Sequence, residues 1–209
     1  MYNASSFKVT DTATLRDAIR TIGAAELITY GTEGIEASIA ALLISDDGMT
    51  LSGHLSKANP QWKNADLSTP VLVTWLGPNA YISPSYYPSK AEHGKVVPTW
   101  NYITIHARGY LVIHDDPVWL RQLVESLTDF HESDLVDPWS VSDAPSSYLD
   151  SMVKGIVGIE VRVTSLEGKW KLSQNRTAPD VAGVIAGLAT HGPGSDESRI
   201  AEAMRHLER

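Results

Sequence analysis

The chain contains no cysteine among its 209 residues. Disulfides, thiolate metal sites, iron–sulfur clusters and a cysteine nucleophile are therefore excluded, and an oxidising compartment gains no support. No apolar run approaches the ~20 residues of a membrane span, so no membrane partner is expected. The opening stretch MYNASSFKVTDTATLRD lacks the basic start and apolar region of a secretory leader. A cytoplasmic location is the expectation, and Asn3-Ala-Ser5 and Asn175-Arg-Thr177 read as accidental glycosylation patterns. There is no GxSxG elbow, no GxGxxG after a strand, no phosphate loop and no HExxH. His106 and His114 would share a strand face, but at ~3.3 Å per residue they lie ~26 Å apart, so no metal site is expected. Bases are scarce as well: 17 Lys and Arg against 25 Asp and Glu give a net charge of −8. Nothing reads as a helix-turn-helix, a basic helix or a basic arm, which makes direct DNA binding doubtful.

What charge there is lies unevenly. From Leu111 to Asp150 there are nine acids and one base, Arg121. From Leu51 to Tyr110 there are five bases and two acids, and from Gly168 to Ala178 three bases and no acid. This variation suits either an ordinary solvated surface or a small cationic site on an acidic protein. The basic segments also carry the unusual residues. Tyr81–Tyr102, YISPSYYPSKAEHGKVVPTWNY, holds five aromatics, two lysines, a histidine, three prolines and four small hydroxyl residues. That mixture makes a poor core and a good surface for a flat, phosphorylated molecule. Gly53–Trp62 (GHLSKANPQW) and Gly168–Arg176 (GKWKLSQNR) share its character.

Hydrophobic periodicity predicts helices over Asp11–Ile22, Pro117–Asp129, Ser146–Lys154, Val181–Ala189 and Asp196–His206. Strands are predicted at Leu27–Tyr30, Ile35–Ile44, Met49–Leu55, Val71–Leu76, Ala80–Ser83, Tyr102–Ile113, Ile156–Ser165 and Lys169–Ser173. Gly77-Pro78-Asn79 reads as a turn, Gly109 as a bulge or bend, and Pro84–Pro98 as a loop. Hairpin-linked strands with helices at the ends argue for a mainly β, α+β antiparallel barrel, not a doubly wound sheet. The expected organisation is a barrel domain over 1–189, a helical insertion near 116–154, and a hinge with a tail helix over 190–209.

On a strand, Lys169 and Lys171 share one face while Trp170 and Leu172 share the other. Two cations followed by Gln174, Asn175 and Arg176 suit a phosphate monoester; an amphipathic edge strand with solvated lysines has the same pattern. Thr99 and Asn101 share a face, as do Trp100 and Tyr102. They suit either a ligand edge or a core capped by polar groups. In the Gly53–Trp62 segment, His54 and Asn59 supply a ring nitrogen and an amide.

The VPTWNY and GKWKLSQNR strings, with the Gly53–Trp62 segment and their order, resemble the PaiB-type FMN-binding transcriptional regulators. That family belongs to the flavin-binding split-barrel group, which includes pyridoxamine phosphate oxidase-like proteins. The resemblance implies an FMN-binding split β-barrel, antiparallel and Greek-key-like with peripheral helices. It also implies a homodimer with FMN at the subunit interface, and a role in repressing transcription. Carried over by position, the implied flavin contacts are Ser83, Lys90, Thr99, Trp100, Asn101, Lys171 and Gln174, with His54 and Asn59 nearby. The chain departs from the family pattern at Ile39 and Ala41, where His and Pro are usual, and at Ser56, where GHxARAN has Arg. It also lacks the early Pro after Met-Tyr. Any regulatory effect is expected to be indirect. Two alternatives accompany this expectation: a flavin-dependent oxidoreductase of flavin reductase type, and a haem-binding or haem-degrading split barrel with His191 or His206 as axial ligand.

Overall fold

The computed structural model describes residues 1–207. Residues 208 and 209, at the end of the anticipated tail, lie outside that range. In chain order the elements are β1 (Lys8–Val9), α1 (Thr12–Ile22), β2 (Ala25–Gly31), β3 (Gly34–Ala40), β4 (Leu42–Ile44) and β5 (Thr50–Ser56). There follow α2 (Gln61–Asn64), β6 (Val71–Ile82), α3 (Ser89–His93), β7 (Thr99–His114), α4 (Pro117–Glu132) and α5 (Ser146–Val153). The chain closes with β8 (Ile156–Lys171), α6 (Ala178–Leu188) and α7 (Asp196–Leu207). Among the described residues the strands form one eight-stranded sheet, β3-β2-β6-β7-β8-β5-β4, with β1 added to β8. The chain divides into two compact units, one of Met1–Asp11, Leu76–Ile105 and Glu167–Arg209, the other of Thr12–Trp75 and His106–Leu166.

In the second unit, β2 and β3 form a hairpin whose register runs from Ala25↔Ala40 to Gly31↔Gly34. Gly34 takes φ 94°, a left-handed conformation that glycine adopts without strain. Alternation places Leu27 in the core and leaves Tyr30, Ile35 and Ile39 exposed. Asp116 caps α4, accepting from the backbone N–H groups of Val118 and Trp119 at 3.3 Å each, with Pro117 in the first turn. Leu120, Leu123 and Leu127 form the buried stripe of α4, as the sequence predicts. Trp119 stacks on His114 at 4.0 Å and 6°. Gly158 is the seat for Trp119, since a Cβ there would run into the indole. Gly109 is no bulge. It lies inside the continuous β7, where a Cβ would collide with the Arg162 carbonyl oxygen.

The first unit has its own core of Ala80, Ile82, Tyr87, Ile103, Leu172, Val184, Leu188, Ile200, Ala201 and Met204. Gly183 and Gly187, spaced one helical turn apart on α6, make room for the backbone and ring of Tyr86. The Ser195 hydroxyl receives the Ser198 N–H at 3.2 Å as the N-cap of α7.

Two expected interruptions are absent, and one expected loop is partly helical. Gly77-Pro78-Asn79 does not turn: β6 is a single strand. Its pairing with β2 covers Leu72–Thr74, so Pro78 lies beyond that ladder and its missing N–H costs no bond to β2. Asn79 instead donates from its backbone and side chain to Asp196 at 3.3 and 3.2 Å. β8 runs unbroken through Leu166–Gly168 because β1 pairs there, Val9↔Gly168 and Lys8↔Lys169. The Asn3 side-chain amide donates to the Gly168 carbonyl at 2.9 Å, and the Met1 amine meets Glu167 at 2.7 Å. Finally, the Pro84–Pro98 loop contains a 3-10 turn at Pro84–Tyr86 and the helix α3, which ends on Gly94 at φ 66°.

Candidate functional site

β7 and β8 bring the Thr99 and Lys171 ends of the two informative motifs together in the first unit. The Lys171 ammonium donates to Thr99 Oγ1 at 2.7 Å and to the Trp100 carbonyl. Lys169, two residues back on the same face, is 8% exposed. Its ammonium donates to the Tyr2 carbonyl at 3.1 Å and lies 5.5 Å from the ring centres of both Tyr2 and Tyr102. Lys171 is 5.9 Å from the same Tyr102 ring. Trp170 and Leu172 turn the other way into the core of the unit. Burial pushes the Lys171 pKa below its ordinary value, and the charges of Lys169 and Arg176 push the same way. Neither lysine is ion-paired with a carboxylate among the described residues. The tyrosine faces offset part of the cost of crowding two cations.

Beside Lys171 stand exposed aromatics. Trp100 is 53% exposed, and Tyr81 meets its ring edge-on at 6.2 Å and 70°. Ser83 caps the 3-10 turn by accepting the Ser85 N–H at 3.2 Å, and Lys90 donates to Ser85 Oγ at 3.1 Å. Contacts join Lys171, Trp100 and Tyr81 into one surface with an ammonium group and flat apolar rings, whereas Ser83 and Lys90 are joined to each other through Ser85.

Asn101 and Gln174 sit differently. Asn101 is buried, and its amide exchanges hydrogen bonds with the Ser173 hydroxyl at 3.0 and 3.2 Å. Gln174 accepts from Leu172 N–H at 2.7 Å and donates to the Trp170 carbonyl at 2.5 Å. Together they clamp the end of β8, where Ser173 holds φ 67°, strained for a residue with a side chain. That turn carries Arg176, whose N–H returns to the Ser173 carbonyl at 2.9 Å.

His54 and Asn59 belong to the second unit. His54 lies on β5 opposite Gly158, half-buried, and burial holds its pKa below the ordinary value. Asn59 donates to Ser38 Oγ at 2.8 Å and accepts the Gln61 N–H at 3.0 Å. Gln61, buried, donates to the Leu27 and Glu36 carbonyls at 3.0 and 3.2 Å. The GHLSKANPQW segment thus ends by pinning β2 and β3. Ile39, Ala41 and Ser56 are all exposed.

The two histidines considered as haem ligands come together: His191 and His206 line one cavity of about 620 Å³ with Arg205 and Glu202. No cluster of three or more His, Asp or Glu side chains able to hold a metal occurs among the described residues. No helix among them is long and apolar enough to cross a membrane. Tyr2 and Tyr81 are not among the implied flavin contacts, although Tyr81 is one of the five aromatics of the Tyr81–Tyr102 segment. Tyr81 has a signal in its alternation with Ile82; Tyr2 has none, because it reaches the site only through the β1–β8 pairing.

Residues 1–165 match the sequence model of the family described as “Putative FMN-binding domain”. An uncharacterized protein of Emericella nidulans is 37% identical over 168 residues, 68% of this chain and 67% of that one. Protease synthase and sporulation protein PAI 2 of Bacillus subtilis is 35% identical over 146 residues, 68% of this chain and 66% of that one. The chain thus spans about two thirds of the length of these relatives. Among solved structures, a flavocytochrome from Azotobacter vinelandii matches with a TM-score of 0.55 and 12% identity, over 83% of this chain and 71% of that one. The FAD and heme binding protein from Mycobacterium smegmatis matches at 0.55 and 13%, over 84% and 78%. At these identities the structural likeness concerns the fold alone.

Proposed function

This chain belongs to the FMN-binding domain family that includes the PaiB-type proteins, with the α+β fold of flavin-binding split barrels, and from that premise we propose that FMN is held with its phosphate against the Lys171 face. The observation that carries this is the contact of Lys171 with Thr99 Oγ1 at 2.7 Å. It places a desolvated, carboxylate-free cation and a hydroxyl beside the exposed Trp100 ring. A phosphate monoester answers such a cation with charge-assisted hydrogen bonds. Trp100 and Tyr81 offer apolar area to the isoalloxazine, and Ser83 and Lys90 add polar contacts. Asn101 and Gln174 act on this site by clamping the turn beyond Lys171. His54 and Asn59 are not needed for this reading. Bound FMN would supply one- and two-electron redox chemistry.

The protein works as a cytoplasmic homodimer with cofactor at its interface, and its effect on transcription is indirect. A net charge of −8 supports the last point. Absorption titration of the pure protein with FMN tests the cofactor site. A perturbed flavin spectrum at near-stoichiometric FMN is expected, and an unperturbed one at any concentration removes the reading. Tight, salt-sensitive binding to promoter DNA would remove the indirect mode of action. Steady oxidation of reduced nicotinamide by the loaded protein would make it a flavin-dependent oxidoreductase.

The shared cavity of His191 and His206 favours a second reading, haem held through one of these imidazoles. A Soret band that survives replacement of both histidines by alanine would eliminate it.

A further inference from the structure

A cavity of about 390 Å³ lies in the first unit, lined by Ser89, His93, Lys95, Asn175, Arg176 and Thr177 together with the acids Glu92 and Asp180. Its volume is within the ~300–1,000 Å³ usual for small-molecule sites. Arg176 is set there by the strained turn at Ser173, and its guanidinium lies 5.0 Å from the centre of the buried Tyr87 ring. A guanidinium resting on a ring face keeps its donor edge free for a planar or tetrahedral anion. Lys95 has no ion pair with a carboxylate among the described residues, and Arg176, with no direct salt bridge there, lies near enough to Asp180 for its charge to lower that carboxyl's pKa. Of the two acids, Asp180 is already engaged: it accepts from the Ser89 N–H at 3.2 Å and hydroxyl at 2.9 Å. His93 Nδ1 accepts the Lys95 N–H at 3.0 Å, which places the ring proton of the neutral imidazole on Nε2. Two cations, an imidazole donor, an amide and hydroxyls thus converge on one hollow; of these groups Arg176 also acts on Lys171 through its charge.

We propose that this cavity is a second anion site, taking a phosphate-bearing small molecule other than FMN. That it is a second site rests on the reading that the FMN phosphate lies at Lys171. The same cations could instead serve the flavin's own phosphate, and the experiment separates the two sources.

Inorganic pyrophosphate is the probe, titrated calorimetrically into the protein with and without bound FMN. Pyrophosphate should bind both forms alike. Arg176→Ala should weaken it about tenfold or more, and Lys95→Ala, at an exposed position, about threefold. FMN affinity, followed by absorption, should change less than about twofold in Lys95→Ala, and Arg176→Ala should weaken FMN clearly less than it weakens pyrophosphate. Pyrophosphate excluded by FMN, or Arg176→Ala weakening FMN as much as pyrophosphate, would show one phosphate site and overturn the proposal. So would absence of pyrophosphate binding to both forms. If FMN itself fails to bind, the flavin reading falls, and pyrophosphate binding by the unliganded protein still decides the cavity.

Discussion

Lys171 is asked to be a cation in a place that disfavours one. Burial acts first and the neighbouring charges of Lys169 and Arg176 second, and all three lower its pKa from 10.5. The folded chain therefore sheds this proton at lower pH than the unfolded chain. Between the two values the unfolded state binds more protons, so stability rises with pH across the window below 10.5. Thermal melts should show the ligand-free wild type gaining on Lys171→Met as pH climbs through that window. A constant difference between the two would show that the lysine carries no such strain. A bound phosphate reverses the balance by favouring the charged amine. Replacing Lys171 by Met removes a charge-assisted bond worth ~1.5–3 kcal/mol, so FMN affinity should fall roughly 10- to 100-fold in the absorption titration. Thr99→Val, which keeps the shape and deletes the hydroxyl, should cost less than the lysine variant. The reverse ranking would move the phosphate away from Lys171. At His54 the linkage runs in the acid direction. Its folded pKa is depressed by burial, so stability is lost as pH falls through 6.5 toward the lower folded value. His54→Gln should flatten that part of the stability profile, with denaturant melts at a series of pH values as the measurement.

Elements in this chain hold one another through positions without side chains. Gly158 on β8 lies under Trp119 of α4, which in turn stacks on His114 of β7. Gly158→Ala should displace the indole and cost about 1–3 kcal/mol in chemical denaturation, as overpacked sites do. Trp119→Leu should relieve most of that cost in the double variant, because the two residues share one contact. Additive losses would mean that the glycine is needed for something other than the tryptophan. Helix α4 is legible in the sequence alone, since Asp116, Pro117 and the Leu120–Leu123–Leu127 stripe are local signals. So is the division of Lys169 and Lys171 from Trp170 and Leu172, which follows from strand alternation. The interruptions expected at Gly77-Pro78-Asn79 and at Leu166–Gly168 are absent because turn chemistry is local and strand pairing is not. Pro78 is tolerated beyond the reach of β2, and Gly168 is held straight by Val9, a residue far away in sequence. The Arg176 cavity is hidden from the sequence for the same reason. Its residues come from two segments about 80 positions apart, joined by Asp180 and Ser89.

At the scale of the whole molecule, the outer face of the β2–β3 hairpin carries an exposed, largely apolar row. Ile35 and Ile39 are 76% and 70% exposed, and Tyr30 sits directly across from Ile35. Ala37 falls between the two isoleucines on the same face, with Ile28 opposite it. β3 also ends the sheet order, so its second edge has no strand beside it among the described residues. A two-fold contact sets one patch against its own copy. The β3 row of Ile35, Ala37 and Ile39 is uncharged and tolerates that pairing; the one charge on this face, the exposed Glu26 opposite Ile39, lies on the β2 row, away from the open β3 edge. The proposed homodimer therefore has a natural seat on this face, and fully burying each isoleucine would contribute roughly 1.5–3 kcal/mol. Ile35→Glu with Ile39→Glu puts two acids into each side of the contact, four in close quarters across the two-fold. Sedimentation equilibrium should show a dimer for the wild type and a monomer for this variant, with circular dichroism unchanged because both side chains point outward. A variant that stays dimeric would locate the contact elsewhere. A wild type that is monomeric across the micromolar range would remove the homodimer, and FMN would then have to be held within a single chain.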